Sequence, residues 1–130
     1  MTKPHFLAQL LYAMTKLIGL LPFTVLRTLG KILGFVSYCV NNRETQVARR
    51  NMQLIYPQDS AEERERRVMG ILSSTGQTVF ETMAAWTRPR AKALKLIRNI
   101  HGLQNFQRAY GQGRGVIIAS PHYGNWELLI

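Results

Sequence analysis

The stretch GVIIASPHYGNWE, residues 115–127, decides which fold the sequence predicts. Its first six residues are an apolar run flanked by glycine, which is typical of a buried β-strand. Pro121 ends this run, because proline has no N–H to donate to a sheet. Residues 102–110, just before it, have apolar side chains at helical spacing. A helix that leads into a buried strand is typical of an α/β domain. We therefore expect an α/β fold, with a helical region leading into the first strand or strands of an incomplete domain.

His122 and Glu127 follow the predicted strand at the edge where open α/β sheets bind ligands. Gly124 permits a tight turn, and Asn125 is a good N-cap for a helix that would carry Glu127. A carboxylate on one imidazole nitrogen would leave the other free to take a proton from a hydroxyl. The sequence thus offers a general base with no nucleophilic serine or cysteine beside it. A structural histidine with a charge in the first helical turn explains the spacing equally well, and both interpretations stay open here.

The glycine-rich run GQGRG, residues 111–115, resembles a nucleotide-binding loop only superficially. A phosphate-binding loop follows a strand and opens a helix, whereas this one follows a predicted helix and opens a predicted strand. We interpret it as a turn. Residues 94–100 fit either a helix or a short strand, and their pattern does not separate the two.

The clearest helix signal in the sequence begins at Ser60. Ser60 and Glu63 have the spacing of a capping box, and residues 87–89 end the segment with a proline. Glu81 within it is interpreted as solvated or ion-paired rather than catalytic. Apolar and small side chains recur there at three- and four-residue steps and predict one helical face: Val68, Leu72, Thr75, Val79, Met83 and Trp86.

The most apolar stretch, residues 6–26, has one charge, Lys16, and is about long enough to cross a bilayer. Pro22 would kink such a helix, so a marginal transmembrane anchor and a helix in the membrane interface are both compatible with it. A core helix of a soluble protein is the alternative. We predict an N-terminal region of membrane anchor or interfacial helices, residues 1–40, followed by an incomplete catalytic region, residues 41–130.

The chain carries a net charge of +10, which favours an anionic partner. No nucleic-acid-binding signature accompanies the basic residues, so charge alone does not choose between a nucleic acid, an anionic membrane surface and an acidic protein. The apolar N-terminal stretch argues against a nucleic acid, and none is the expected partner. Cys39 is the one cysteine, which excludes an internal disulfide and a cysteine metal cluster. We expect Cys39 to be a buried or lipid-facing thiol.

The run from residue 113 into His122-Tyr123-Gly124-Asn125-Trp126-Glu127 closely resembles the bacterial lipid A biosynthesis acyltransferases, the late lauroyl and myristoyl transferases. These belong to the lysophospholipid acyltransferase-like superfamily. Leu21-Pro22 and Leu29-Gly30 resemble the membrane anchor of that family. The stretch from Arg49 to Met52, together with Tyr56-Pro57, resembles a further motif of the family. The resemblance covers nearly the whole chain in order, and the histidine motif is its specific part.

The resemblance implies a fatty acyl transfer from acyl carrier protein to a hydroxyl of a lipid A precursor. His122 would be the general base and Glu127 its partner, with no metal and no other cofactor. The enzyme would work at the cytoplasmic face of the bacterial inner membrane, and an acidic carrier and a phosphorylated lipid both suit the positive charge. Proteins of the family are longer, so we expect the 130-residue chain to be incomplete and inactive alone.

Two alternatives remain on sequence grounds. The chain could be a non-enzymatic basic protein of the membrane surface, or an acyltransferase whose acceptor is another glycolipid. The sequence does not fix the acyl chain length, the acceptor hydroxyl or the oligomeric state.

Overall fold

A computed structural model describes residues 6–121, 124 and 125, and their regular structure is entirely helical. The elements are α1 (Phe6–Gly19), α2 (Phe23–Val40), α3 (Arg43–Ile55), α4 (Ala61–Thr87), α5 (Arg90–Leu94) and α6 (Leu103–Tyr110).

The predicted α/β fold is wrong for the part of the chain that the structure describes. Residues 115–120 form no strand there, and Ile117 and Ile118 are 97% and 71% exposed. A strand needs a neighbour to satisfy its N–H and C=O groups, and no other strand lies in the described ranges to pair with it. An apolar run with a glycine flank is compatible with a strand, but the run alone does not provide that partner.

The structure confirms the predicted turn before this run and the predicted helix before that turn. Residues 103–110 form α6, with the rings of Phe106 and Tyr110 stacked 5.8 Å apart. Gly113 and Gly115 adopt positive φ angles of 69° and 78°, a conformation that glycine adopts readily. Residues 97–100 have no regular structure, and α5 ends before them at Leu94.

The apolar N-terminal stretch is two helices rather than one kinked helix. The first helix, α1, ends at Gly19, and Pro22 is the N-cap residue of α2, whose first helical hydrogen bond runs from the Leu26 N–H to the Pro22 carbonyl. By length and apolar composition, α2 alone among the described helices could cross a membrane. The candidate span therefore lies at Phe23–Val40, not at residues 6–26.

The helix predicted from the capping box is α4, which at 27 residues is about 40 Å long. The Glu63 N–H donates to Ser60 Oγ over 3.1 Å, and the Ser60 N–H donates to Glu63 Oε2 over 3.0 Å. These two bonds satisfy backbone donors that the first turn of a helix leaves unpaired. The helices α1, α2 and α3 all pack against α4, which is therefore the centre of the fold.

The crossing of α2 and α4 is close because glycines meet there. A Cβ atom on Gly34 would lie 2.5 Å from the Leu72 carbonyl oxygen, and one on Gly76 would lie 3.2 Å from the Gly34 backbone nitrogen. Gly30, one turn earlier on α2, faces the Gly76–Gln77 backbone in the same way. The two backbones can approach this closely only where no side chain separates them.

The buried core is small and lies between α2, α3 and α4. Leu26 and Val68 are fully buried, and Ala48, Met52 and Leu72 are nearly so. By contrast, α1 and α2 expose large apolar side chains along most of their length, including Phe6, Leu10, Leu17, Ile32, Phe35 and Val40. An apolar surface this extensive is typical of a membrane or protein contact.

A polar cluster joins the same three helices. Arg49 on α3 forms a two-pronged ion pair with Glu65 on α4, at 2.8 Å from Nε to Oε1 and 2.9 Å from the second guanidinium nitrogen to Oε2. The hydroxyl of Tyr38 on α2 donates to Glu65 Oε2 over 2.7 Å. The hydrogen bonds from Arg49 and then from Tyr38 hold the pKa of Glu65 below its usual range, against the effect of partial burial.

Candidate functional site

The two predicted catalytic residues, His122 and Glu127, lie outside the described residues, so their roles stay predictions. The structure describes the chain on either side of His122 and before Glu127. Pro121 is exposed, and Gly124 has a φ of 62° in a bend, as the predicted tight turn requires.

Asn125, in the middle of the histidine motif, lies against α4. Thr82 Oγ1 and Asn125 Oδ1 are 3.4 Å apart, the long end of hydrogen-bond range. The amide nitrogen Nδ2 of Asn125 is buried and has no hydrogen-bond partner among the described residues. Leaving a buried amide donor unpaired costs free energy, so this nitrogen needs an acceptor from outside the described residues.

A groove of about 870 Å³ runs along α4 next to Asn125. Most of its lining comes from α4, with Thr15 from α1 and Gly124 from the histidine motif. We call it the α4 groove, and it is lined by Thr15, Ile71, Ser74, Thr75, Thr78, Val79, Thr82, Met83, Trp86 and Gly124.

Two of the five hydroxyl-bearing residues that line the groove bond to carbonyls of their own helices. Thr78 Oγ1 donates to the Ser74 carbonyl over 3.1 Å, and Thr15 Oγ1 donates to the Leu11 carbonyl over 2.9 Å. A threonine that bonds to the carbonyl four residues earlier has no hydroxyl proton left for a ligand. The groove is therefore less polar than its threonine content suggests.

The predicted apolar face of α4 divides into two parts. Val68 and Leu72 are buried in the core, whereas Thr75, Val79, Met83 and Trp86 line the α4 groove. The periodicity correctly placed these residues on one side of the helix. It did not identify Thr78 or Thr82, because the three- and four-residue steps skip these two positions of α4. It did not identify Thr15 either, because Thr15 lies on α1.

The segment between the end of α4 and the histidine motif is strongly basic. No Asp or Glu occurs between Glu81 and Glu127, whereas seven Lys and Arg residues do. Arg88 donates to the Gly19 and Leu21 carbonyls over 2.8 and 2.6 Å and so joins the end of α4 to the end of α1. Arg90, Lys92, Lys95 and Arg98 are exposed, and no carboxylate pairs with them among the described residues. This region would attract an anionic group to the end of the groove.

Other polar residues have structural roles. Glu81 pairs with Arg27 over 3.3 Å, as the ion-paired interpretation predicted. Cys39 is exposed on α2, so the buried alternative was wrong, and the lipid-facing one stays a prediction. No group of three or more His, Cys, Asp or Glu residues that could hold a metal ion occurs within the described ranges.

Comparison with known proteins identifies the family. Residues 2–130 match the bacterial lipid A biosynthesis acyltransferase family. The lipid A biosynthesis palmitoleoyltransferase of Escherichia coli K12 is 37% identical over 108 residues, covering 83% of this chain and 35% of that protein. The lipid A biosynthesis lauroyltransferase of the same organism is 29% identical over the same shares. A lipid A biosynthesis acyltransferase of Haemophilus influenzae Rd is 30% identical, covering 97% of this chain and 42% of that protein.

No solved structure matches the chain. The chain spans between about a third and two-fifths of the length of these relatives. The family match nevertheless runs through almost every residue from the N-terminal helices to the histidine motif. The chain belongs to the bacterial lipid A biosynthesis acyltransferase family.

Proposed function

We propose that this chain is the N-terminal part of an enzyme that transfers a fatty acyl group from acyl carrier protein to a hydroxyl of a lipid A precursor. The family match over residues 2–130 carries the proposal. The relatives named as palmitoleoyl- and lauroyltransferases of lipid A biosynthesis support both the reaction and the acceptor.

The chemistry follows from the residue types of the motif. The neutral imidazole of His122 accepts the proton of the acceptor hydroxyl as the oxygen attacks the thioester carbonyl carbon. Glu127 stabilises the imidazolium that forms. The tetrahedral intermediate then collapses, the C–S bond breaks, and the imidazolium returns the proton to the leaving thiolate. The new ester bond forms without a metal or another cofactor.

Charge and apolar surface support the place of the reaction. The apolar sides of α1 and α2 suit contact with lipid, and the +10 chain suits an acidic carrier protein and a phosphorylated lipid. We place the enzyme at the cytoplasmic face of the bacterial inner membrane, where acyl carrier protein would be available. A nucleic acid has no part in this function.

A non-enzymatic protein of the membrane surface is the second candidate. The exposed apolar residues of α1 and α2, combined with the basic stretch after α4, favour lipid binding whether or not catalysis occurs. Acyl transfer to another glycolipid is a variant of the first candidate. Competition between that glycolipid and a lipid A precursor in the transfer reaction would reveal it.

The test is acyl transfer from acyl carrier protein to a lipid A precursor by membranes that express the source gene. His122→Ala should lower the rate by about 10² to 10⁴, the usual contribution of a general base. His101→Ala is the matched control, because His101 is exposed and lies outside the motif. Equal rates for the two variants would contradict the role of His122. Membrane binding without transfer by the unaltered protein would favour the second candidate.

A further inference from the structure

We propose that α2 does not cross the bilayer but lies in the plane of one anionic lipid leaflet, with both of its ends on the same side of the membrane. Length and apolar composition alone would allow α2 to span. Its charges and its contacts with α4 favour the in-plane position. The inference rests on the membrane contact of the proposed function, and it states which surface of the protein meets lipid.

Lys31 lies at the middle of α2, eight residues after Phe23 and nine before Val40. Each end of the helix is therefore about 12 to 14 Å away from it. Its side chain is exposed, and no carboxylate pairs with it within the described ranges. A spanning α2 would hold this ammonium group near the centre of the hydrocarbon, where a charge is most costly. Lysines near the ends of a helix can reach the headgroups, but Lys31 is not near an end.

The exposed surface of α2 divides into a polar and an apolar flank. On one flank, exposed polar side chains recur at four- and three-residue steps: Thr24, Thr28 and Lys31. Phe35, one turn after Lys31, is the exception on that flank. On the other flank, exposed apolar side chains and the thiol recur at seven-, four- and three-residue steps: Val25, Ile32, Val36 and Cys39. A helix in the membrane surface has one flank in water and one in lipid, which is the pattern of α2.

Polar contacts hold α2 along α4, so a spanning α2 would take α4 into the bilayer with it. Near the start of α2, Arg27 Nε lies 3.3 Å from Glu81 Oε1. Near its end, the Tyr38 hydroxyl donates to Glu65 Oε2 over 2.7 Å. Glu65 and Glu81 are sixteen residues apart on α4, or about 24 Å, whereas the hydrocarbon of a bilayer is about 30 Å thick. An α2 along the membrane normal would therefore place at least one of these carboxylates in hydrocarbon.

Basic residues occur on both sides of α2 in the sequence. Lys16 lies in the last turn of α1, and Arg43 and Arg50 lie on α3; all three are exposed. Basic residues next to a membrane segment favour the cytoplasmic side. Because this tendency acts on both ends of α2, it favours an in-plane helix over a span. It also suits the anionic headgroups of the cytoplasmic leaflet.

The first test measures the depth of α2 in a membrane. The 130-residue chain binds vesicles of phosphatidylethanolamine and phosphatidylglycerol and carries a single nitroxide, either on Cys39 or on Val25→Cys or Ile32→Cys in a Cys39→Ser background. These three positions are seven residues apart, almost two helical turns, so they share one side of α2. We expect the three labels at one depth, about 5–10 Å into the leaflet. A label at position 32 that lay about 10 Å deeper than the other two would show a span and overturn the proposal.

The second test determines on which side the two ends of α2 lie. Cys39 reports the end of the helix, and Leu20→Cys with Cys39→Ser reports its start, where Leu20 is exposed. A charged maleimide, which does not cross a bilayer, is added to spheroplasts or to inverted inner-membrane vesicles that contain the protein. We expect both thiols to react at least about tenfold faster in inverted vesicles, where the cytoplasmic side faces out. Reaction of the two thiols from opposite sides would contradict the in-plane position.

Neither test depends on acyl transfer, so this inference and the proposed function can fail separately. A protein without transfer whose two thiols both faced the cytoplasm would refute the function and support the in-plane helix. A protein that transferred acyl groups with its two thiols on opposite sides would do the reverse. A chain that bound no vesicles and stayed in the soluble fraction would overturn the membrane contact, and this inference with it.

Discussion

At the scale of single residues, Arg49 is the best-connected side chain of the described structure. It pairs with Glu65 through two nitrogens, lies over the ring of Tyr38 at 5.1 Å, and bonds to Asn41 Oδ1 over 2.5 Å. These partners come from the end of α2, the turn after it and α4. One guanidinium thus fixes how three segments meet, because its planar fork donates in several fixed directions at once.

Arg49→Lys should destabilise the fold although it keeps the charge. An ammonium group cannot form the paired bonds to Glu65, so we expect the free energy of unfolding to fall. Arg50→Lys is the matched control, because Arg50 is exposed and neighbours Arg49. Denaturant unfolding in detergent measures both variants.

The same contacts predict the pH dependence. The pKa of Glu65 is lower in the folded than in the unfolded protein, so its contribution is present above the ordinary carboxylate range and is lost as the pH falls through the folded pKa. Arg49→Lys should therefore be closest to the unaltered protein at acid pH. A difference that grew on acidification would contradict this account of Glu65.

At the scale of the elements, the fold depends on how closely α2 approaches α4. Gly76 and Gly70 are both glycines within α4, but only Gly76 faces another backbone. A Cβ on Gly70 would have no atom within 4 Å, whereas one on Gly76 would come 3.0 Å from the Gly30 carbonyl carbon. The same substitution should therefore have opposite effects at these two positions.

Gly76→Ala should separate the two helices and lower the free energy of unfolding by about 1–3 kcal/mol, as overpacking does in cores. Gly70→Ala should raise it by about 0.5–1 kcal/mol, because alanine loses less backbone entropy in a helix than glycine. Thermal unfolding of the two variants provides the comparison. A stabilising effect of Gly76→Ala would show that the close crossing does not occur in solution.

The elements that the sequence predicted are those with local signals. The start of α4 follows from Ser60 and Glu63, three residues apart, and α6 follows from the spacing of Leu103, Phe106 and Tyr110. The prediction of a strand at residues 115–120 was wrong because a strand depends on a pairing partner, and that partner is often distant in sequence.

The candidate site was predictable to a similar extent. The histidine motif and the family could be recognised from consecutive residues, and the family match confirms the resemblance. Only the α4 side of the groove was predictable from the sequence, since Thr15 comes from a helix more than fifty residues away from that side. The pairing of Arg49 with Glu65 had no local signal either, because these residues lie on different helices.

At the scale of the whole molecule, a small core supports a large apolar exterior. Leu10 and Leu17 lie on one side of α1, seven residues apart, and are among many exposed apolar residues of α1 and α2. Water-exposed apolar surface on this scale is unfavourable in a monomer, so contact with lipid would stabilise the observed arrangement.

The double change Leu10→Ser and Leu17→Ser should weaken binding to anionic vesicles at least about tenfold, because each buried leucine contributes about 1.5–3 kcal/mol. The matched control is Leu54→Ser with Ile55→Ser, two exposed apolar residues at the end of α3. Vesicle flotation measures both. Equal losses for the two pairs would place the lipid contact elsewhere or spread it over the whole surface.

The central position of α4 also has a consequence for the folding of the protein during its synthesis on the ribosome. The last residue of α2 is made about 50 residues before the last residue of α4, the helix that packs against it. At 5–20 residues per second this interval lasts about 2 to 10 s. During that time the nascent α2 lacks α4, its main intramolecular partner, so a bilayer or a chaperone can engage it first. Insertion or binding of α2 at the membrane would then precede folding, and α4 would pack against a helix that is already in contact with lipid.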